Sequence, residues 1–266
     1  IPKMEVYPDN LFVLSNAMSY SGGELLLDEV DFILGKDFLI SIHGFKSAGR
    51  RVFEKIDEKI NRNAALIRRG PDLLMHLLLD HVVDGKFPIL ERIQDQLDTT
   101  EENLLKDIAT FRPEQILDLR RSLMSMRKSL FHEREILVKI CRKDSNLIGD
   151  KALLHYRDIY DHLTKYVEMT EVYREMVTSL MEMFVSLSNN QMTQISNQTN
   201  LVMKRLTLIT TLFMPMTLLS GIGGMSEWSM ICGPENWKIA YPVFFLLMFG
   251  TGLLNYWFLK TKKWID

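Results

Sequence analysis

Two uncharged apolar stretches near the end of the chain constrain its fold more than any other feature. No charged residue occurs from Leu206 to Met225, and none occurs from Ile239 to Leu259. Each stretch is about twenty residues long, the length that a helix needs to cross roughly 30 Å of hydrocarbon. Because the chain before residue 200 is rich in charge, the sequence predicts a large water-facing domain attached to a hairpin of two membrane helices.

Basic residues flank the two stretches on the side of the large domain. Lys204-Arg205 precedes the first stretch, and Lys260 and Lys262-Lys263 follow the second, whereas the connecting loop contains only Lys238. Cytoplasmic loops carry an excess of Lys and Arg. We therefore expect a multi-pass protein of the plasma (inner) membrane, in contact with membrane lipid, with both termini in the cytoplasm.

Composition and motifs argue against several classes of function. With 32 basic and 34 acidic residues, the net charge of −2 gives no support to nucleic-acid binding, which usually needs a clustered basic surface. The glycines from Gly221 to Gly224 end a membrane helix instead of following a strand, so they do not predict a nucleotide site. No nucleophile and base stand in a recognisable context, so we do not expect an enzyme. Cys141 and Cys232 lie in different parts of the chain and predict no disulfide framework.

The first part of the chain, residues 1–71, has the pattern of an α/β domain. The apolar runs Leu11–Leu14, Glu24–Leu27 and Phe38–Ile42 are bounded by turn residues, which predicts strands. Apolar residues then recur every four positions over 52–60, which predicts a helix. The chain begins at Ile1 without an initiator Met, so we expect that part of this domain precedes it.

Long helices follow the α/β domain. Residues 72–145 predict two antiparallel amphipathic helices with a break near Thr110–Pro113, and residues 146–225 predict one helix that continues into the membrane over 206–225. At 1.5 Å per residue, this last helix spans on the order of 100 Å, which is longer than a domain core needs and indicates a stalk. The remaining segments are a loop over 226–238, a second span over 239–259 and a basic tail over 260–266.

One face of the first span has the composition of a water-filled conduit. Its residues recur every three or four positions and mix apolar, hydroxyl and small side chains: Asn200, Met203, Leu206, Thr210, Met214, Thr217 and Gly221. Such a mixture fits a pore with hydrophobic constrictions, formed by several copies around an axis. A helix-packing face also favours small residues and Thr, so the pattern alone leaves both interpretations open.

Several short motifs resemble the CorA magnesium-channel family. They are Met203–Thr207, Phe213–Thr217 and Gly221–Met225 in the first span, Arg157–His162 in the stalk, and the Lys262–Trp264 ending. The resemblance implies an α+β fold in which an αβα sandwich in the cytoplasm is joined by a long stalk helix to two transmembrane helices. It also implies a funnel-shaped homopentamer whose first span lines the pore and whose second span faces lipid.

The sequence departs from the family at the mouth of the pore. The family signature there is Gly-Met-Asn, and this chain has Ser226 at the third position. The resemblance assigns the selectivity filter to Gly221, Gly224, Met225 and Ser226. A serine hydroxyl is shorter than the asparagine amide and can donate or accept, so we expect a wider and less selective ring. Glu227 and Glu235 add carboxylates at the mouth, where acidic rings concentrate cations.

The resemblance also implies a regulatory metal site between neighbouring cytoplasmic domains. It assigns this site to Asp80 and Asp158, where bound divalent ions hold the pentamer closed. His155 and His162 lie seven residues apart, so with Asp158 they form an alternative site that could attract zinc. Mg²⁺ is then expected both as the transported ion and as the regulatory ion.

Three hypotheses for the function follow. The first is a passive channel for divalent cations, for magnesium with cobalt or nickel as surrogates, gated by divalent ions between cytoplasmic domains. The second is a CorA-like channel or transporter of altered selectivity, for zinc or for monovalent cations, which Ser226 favours. The third is a membrane-anchored metal sensor or scaffold that does not conduct.

Overall fold

The structure is a computed structural model in which the positions of most residues are described. The described residues are 1–21, 24–44, 60, 69–225, 233 and 236–262. The helix predicted over 52–60 therefore lies outside the described residues except at Ile60, which is helical. Ser226, Glu227 and Glu235 also lie outside them.

An antiparallel sheet opens the chain, with its strands in sequence order. The strands are β1 (Lys3–Val6), β2 (Asn10–Ser21), β3 (Glu24–Gly35) and β4 (Leu39–His43). Strands β2 and β3 pair along their whole length, from Asn10 opposite Gly35 to Ser21 opposite Glu24. Both are 12 residues long, so the predicted apolar runs marked only parts of them.

Alternating apolar side chains anchor the sheet to the helices. Val30, Phe32 and Leu34 of β3 are completely buried, which is the period of two that a strand with one buried face requires. The glycine at position 35 lets the Phe38 ring lie against the backbone at the end of β3, because a Cβ there would lie 2.3 Å from that ring.

Helices follow the sheet in the part of the chain from residue 69 to 145. They are α1 (Pro71–Asp84), α2 (Phe87–Lys106) and α3 (Glu114–Cys141). The sequence predicted one helix where α1 and α2 are separate. Pro88 occupies the first turn of α2, and since proline has no N–H and clashes within a helix interior, the helix must restart there.

The long helix predicted after residue 146 is confirmed. Helix α4 runs from Asp150 to Gly223 over 74 residues, and α5 runs from Trp237 to Thr261. Both contain a window that is long and apolar enough to cross a membrane. The chain divides into two compact units, Ile1–Ser188 and Asn189–Asp266. In the first unit, Tyr156, Ile159 and Leu163 of α4 are fully buried in the shared core.

Candidate ion pathway and metal site

Helices α4 and α5 pack closely at two glycines. A Cβ on Gly223 would lie 2.5 Å from Cζ of Phe244, and a Cβ on Gly252 would lie 2.7 Å from Cε of Met216. These contacts pair the end of α4 with the start of α5, so the two helices form an antiparallel hairpin. Small residues at the crossing let the two backbones approach, as they do in membrane helix pairs.

The face of α4 that meets α5 differs from the face that the sequence predicted to line a pore. The half-buried positions between residues 206 and 223 are Leu208, Thr211, Leu212, Pro215, Met216, Leu219 and Gly223. The seven predicted lining residues are all exposed, with Met214 at 70% and Leu206 at 55%. We call these seven residues, Asn200 to Gly221, the lining face. Packing against the chain's own α5 therefore does not account for the composition of the lining face.

The threonines of the lining face present oxygen lone pairs outward. The Thr210 hydroxyl donates to the Leu206 carbonyl at 2.9 Å, and the Thr217 hydroxyl donates to the Phe213 carbonyl at 3.0 Å. Each hydroxyl proton is thus used within the helix. Its remaining lone pairs can accept hydrogen bonds from water molecules, including those that surround a cation.

The described part of the predicted filter forms the end of α4. The Gly224 N–H donates to the Ser220 carbonyl at 3.0 Å, and the Met225 N–H donates to the Ile222 carbonyl at 3.2 Å. The last carbonyls of a helix have no intrahelical partner, and the helix dipole places partial negative charge there. This end of α4 is therefore a favourable place for a cation. Ser226, with both mouth carboxylates, falls outside the described residues.

A second candidate site lies in the first unit, where α1 meets α4. Asp80, Asp84 and His162 each place a ligand atom within 4.8 Å of the others. The two aspartates share one face of α1 because they are four residues apart. Nδ1 of His162 is buried, lies 3.9 Å from a carboxylate oxygen of Asp84, and has no hydrogen-bond partner among the described residues. We call these three residues the carboxylate–histidine cluster.

Negative charge from this cluster reaches the neighbouring aromatic side chains. Tyr166, one turn after His162, stacks on its ring at a centroid distance of 6.3 Å. Burial raises the pKa of the Tyr166 phenol, and the carboxylates of Asp84 and Asp80 raise it further. A cation placed between the two carboxylates would reverse this field.

The donor set of the cluster fits a divalent ion. Carboxylate oxygens suit magnesium, which usually retains several waters, whereas imidazole suits cobalt, nickel and zinc. An unpartnered imidazole nitrogen beside two carboxylates therefore favours a transition metal for direct binding. Magnesium can be held by the carboxylates through its water shell.

Within one chain the structure brings only one of the two predicted regulatory residues into the cluster, whereas the predicted site lies between neighbouring copies. Asp80 belongs to the cluster, but Asp158 is exposed on α4 and is not among its members in the described chain. The predicted pairing of both histidines is not formed, because the His155 ring packs on His76 at 5.2 Å. Asp84 was missed, although its spacing of four residues from Asp80 was a signal that could have found it.

Comparisons with known proteins identify the family of the chain. A family model described as "CorA-like Mg2+ transporter protein" matches residues 1–262. The cobalt/magnesium transport protein CorA of Thermotoga maritima is 32% identical over 268 residues, which cover 99% of this chain and 73% of that protein. The protein of the same name from Methanocaldococcus jannaschii is 29% identical over 227 residues, which cover 85% and 68%. A solved CorA magnesium transporter structure from M. jannaschii superposes with a TM-score of 0.70 at 25% identity, covering 100% of this chain and 80% of that one.

Proposed function

Because the chain belongs to the CorA-like Mg²⁺ transporter family, we propose that it forms a passive channel for divalent cations, with magnesium as the transported ion. Five copies surround an axis in the plasma membrane, with both termini in the cytoplasm. Helix α4 lines the pore and α5 faces lipid. The gradient of the ion and the membrane potential drive transport, and 100 mV contributes about 4.6 kcal/mol for a divalent ion.

The main support for this proposal is the difference between the two opposite faces of α4. In the second unit α5 covers one face, and the lining face stays exposed over about 30 Å of helix. Two spans of one chain cannot enclose a water-filled path, whereas a ring of identical chains can. In such a ring the exposed mixture of threonine, methionine and glycine faces the axis.

The lining face suits an ion that keeps its water. Magnesium loses water reluctantly, so a pore for it benefits from acceptors that bind the hydration shell. The outward lone pairs of Thr210 and Thr217 are such acceptors. Met203, Leu206 and Met214 supply apolar constrictions between them, where dewetting can close the path. The carbonyls at the end of α4 attract the cation at the mouth.

Regulation by divalent ions is part of the proposal. The carboxylate–histidine cluster of one copy binds an ion together with Asp158 of a neighbouring copy, which stabilises the closed ring. Removal of the ion leaves the carboxylates of Asp80 and Asp84 facing Asp158 of the neighbouring copy. Repulsion between carboxylates across this interface then favours separation of the cytoplasmic domains and opening of the pore.

Planar-bilayer recording of the purified protein tests the proposal, with magnesium on one side and potassium on the other. A reversal potential near the magnesium equilibrium value supports a selective divalent channel.

Thr210→Val removes the outward acceptor but preserves the shape of the side chain. Because each lost hydrogen bond costs roughly 1 kcal/mol, we expect magnesium conductance to fall at least about fivefold. Thr211→Val is the matched control, because Thr211 lies on the half-buried face. Equal effects of the two variants would refute the assignment of the lining face.

A second candidate function rests on Ser226, which stands where the family has asparagine. A reversal potential that follows potassium would support a CorA-like channel of relaxed selectivity, and one that follows a zinc gradient would support zinc transport. Ser226→Asn should then shift the reversal potential toward the magnesium value. Absence of any current from protein with the mass of a pentamer would favour a metal-sensing scaffold.

A further inference from the structure

The first unit carries a continuous acidic surface on α2. Its members are exposed and follow one side of the helix at intervals of four, three and four residues: Glu91, Asp95, Asp98 and Glu102. We call them the acidic face. Their negative charge reaches α4, where it adds to the effect of burial in raising the pKa of Tyr173. Four carboxylates along about 17 Å of helix repel one another unless cations or a basic surface screen them.

A basic cleft lies between α3 and α4 of the same unit. It has a volume of about 840 Å³, and the charged residues that line it are Arg120, Arg127, Lys128, Arg174, Glu175 and Glu182. Its permanent charges are four positive and two negative. Arg127 and Arg174 share the carboxylate of Glu171. Arg120 and Lys128 form no ion pair with any described residue, so their charges are available to a partner.

Apolar side chains lie between the basic groups of this cleft. Met124 is 57% exposed and Phe131 is 42% exposed. Both alternate with Arg120 and Arg127 on the same side of α3, because these four positions recur at intervals of four, three and four residues. The cleft therefore offers the same spacing as the acidic face. A helix that covered it would remove both apolar side chains from water.

The geometry of a ring brings these two surfaces to the same level. Helices α2 and α3 of one chain are antiparallel, since Thr99 and Asn103 line a recess with Leu119 and Gln115. In a ring whose axis is parallel to α4, rotation carries one copy onto the next without changing the position of any residue along that axis. The α2 of a neighbouring copy then meets α3 in the same antiparallel register, which places Asp98 level with Arg120.

We propose that the acidic face of one copy docks into the basic cleft of the next copy, as a head-to-tail contact between cytoplasmic domains. This inference rests on the proposed ring of identical chains. A contact between two different surfaces closes into a ring when the rotation allows it, and each copy then uses both surfaces. In the shared register Asp98 lies level with Arg120 and Glu91 lies level with Arg127, so acidic and basic residues meet at two places along the contact.

Cross-linking between differently tagged chains tests the contact directly. Asp95→Cys is placed in one chain and Met124→Cys in the other, both with Cys141 and Cys232 replaced by serine, and the two chains are co-expressed at full length. A short bis-maleimide should give at least fivefold more two-chain adduct than the control pair, in which Met124→Cys is replaced by Leu154→Cys. Leu154 is 70% exposed near the start of α4. Single-cysteine chains cannot link internally, so every adduct joins two copies.

The mass of the same sample, measured by light scattering, separates the possible failures. A sample with the mass of a ring but with adduct no greater than the control overturns the contact and leaves the channel proposal intact. A monomeric sample overturns both. The adduct should also fall when Asp98→Lys is added to the Asp95→Cys chain, because a charge of the wrong sign then faces the cleft. An adduct unchanged by that substitution would overturn the electrostatic basis of the contact.

Discussion

A buried ion pair at the turn between α1 and α2 should contribute strongly to the stability of the first unit. Lys86, between α1 and α2, contacts Glu133 of α3, and their side chains are 0% and 2% exposed. The other carboxylate oxygen of Glu133 accepts from the Asn16 N–H at 3.1 Å and from the Ser129 hydroxyl at 3.2 Å. Burial lowers the pKa of the Lys86 ammonium despite its partner. The network ties β2, the α1–α2 turn and α3 together.

Removal of one charge should cost far more than removal of both. Glu133→Gln keeps the acceptor for Asn16 and Ser129 but leaves the Lys86 ammonium buried without a counter-charge. Lys86→Met leaves the carboxylate in the same position. Breaking a buried pair costs about 3–5 kcal/mol, which corresponds to a fall in Tm of roughly 6–20 °C for a chain of this size. The double variant buries no charge and keeps the hydrogen bonds, so its Tm should return to within about 4 °C of the parent.

Thermal unfolding of the full chain in detergent, followed by intrinsic fluorescence, measures these shifts. Asp118→Asn serves as a control, because Asp118 pairs with Arg121 on the surface where the side chains are 56% and 78% exposed. Such exposed pairs contribute about 0–1 kcal/mol. Single buried variants that shift Tm no more than this control would refute the reasoning. A double variant whose loss equals the sum of the single losses would refute it as well.

Two further predictions concern the metal cluster and the helix hairpin. Asp84→Asn or His162→Ala should raise, by at least about tenfold, the Co²⁺ concentration that is needed to produce a given increase in Tm. Loss of a supporting contact lowers metal affinity by about 10–100-fold, and loss of a ligand should lower it at least as much. Gly223→Ala should lower Tm more than Gly252→Ala. The overpacking at position 223 should lower the free energy of unfolding by about 1–3 kcal/mol. The methyl group at position 223 meets the rigid ring of Phe244, whereas at 252 it meets a flexible thioether.

Matched variants make both measurements decisive. Glu114→Gln removes a carboxylate from the start of α3, away from the cluster, and should leave the Co²⁺ response unchanged. An equal loss of response in this control would indicate that cobalt acts through general charge screening. For the hairpin, Gly221→Ala is the control, because nothing lies within 4 Å of the added Cβ. A larger loss at Gly221 than at Gly223 would contradict the packing argument.

A polar residue inside a strand explains one error of sequence interpretation. Asn16 interrupts the apolar run of β2, so the predicted strand stopped at Leu14, yet Asn16 is buried and its amide donates to Ser129 at 2.8 Å. Its partner lies 113 residues away, and no local pattern could indicate it. The break between α1 and α2 had a local signal in Pro88, but the apolar stripe on both sides outweighed it.

Local properties determined what the sequence alone could establish. The length and lack of charge of two segments defined the candidate spans, and the helical repeat singled out the lining face from Asn200 to Gly221, because both depend only on neighbouring residues. Tertiary structure decided the rest. It showed which face of α4 packs on α5, joined Asp80 and Asp84 to His162 across 78 residues of chain, and placed the acidic face and the basic cleft on different helices of one unit. These features depend on how distant segments pack, and packing arises from the whole chain at once.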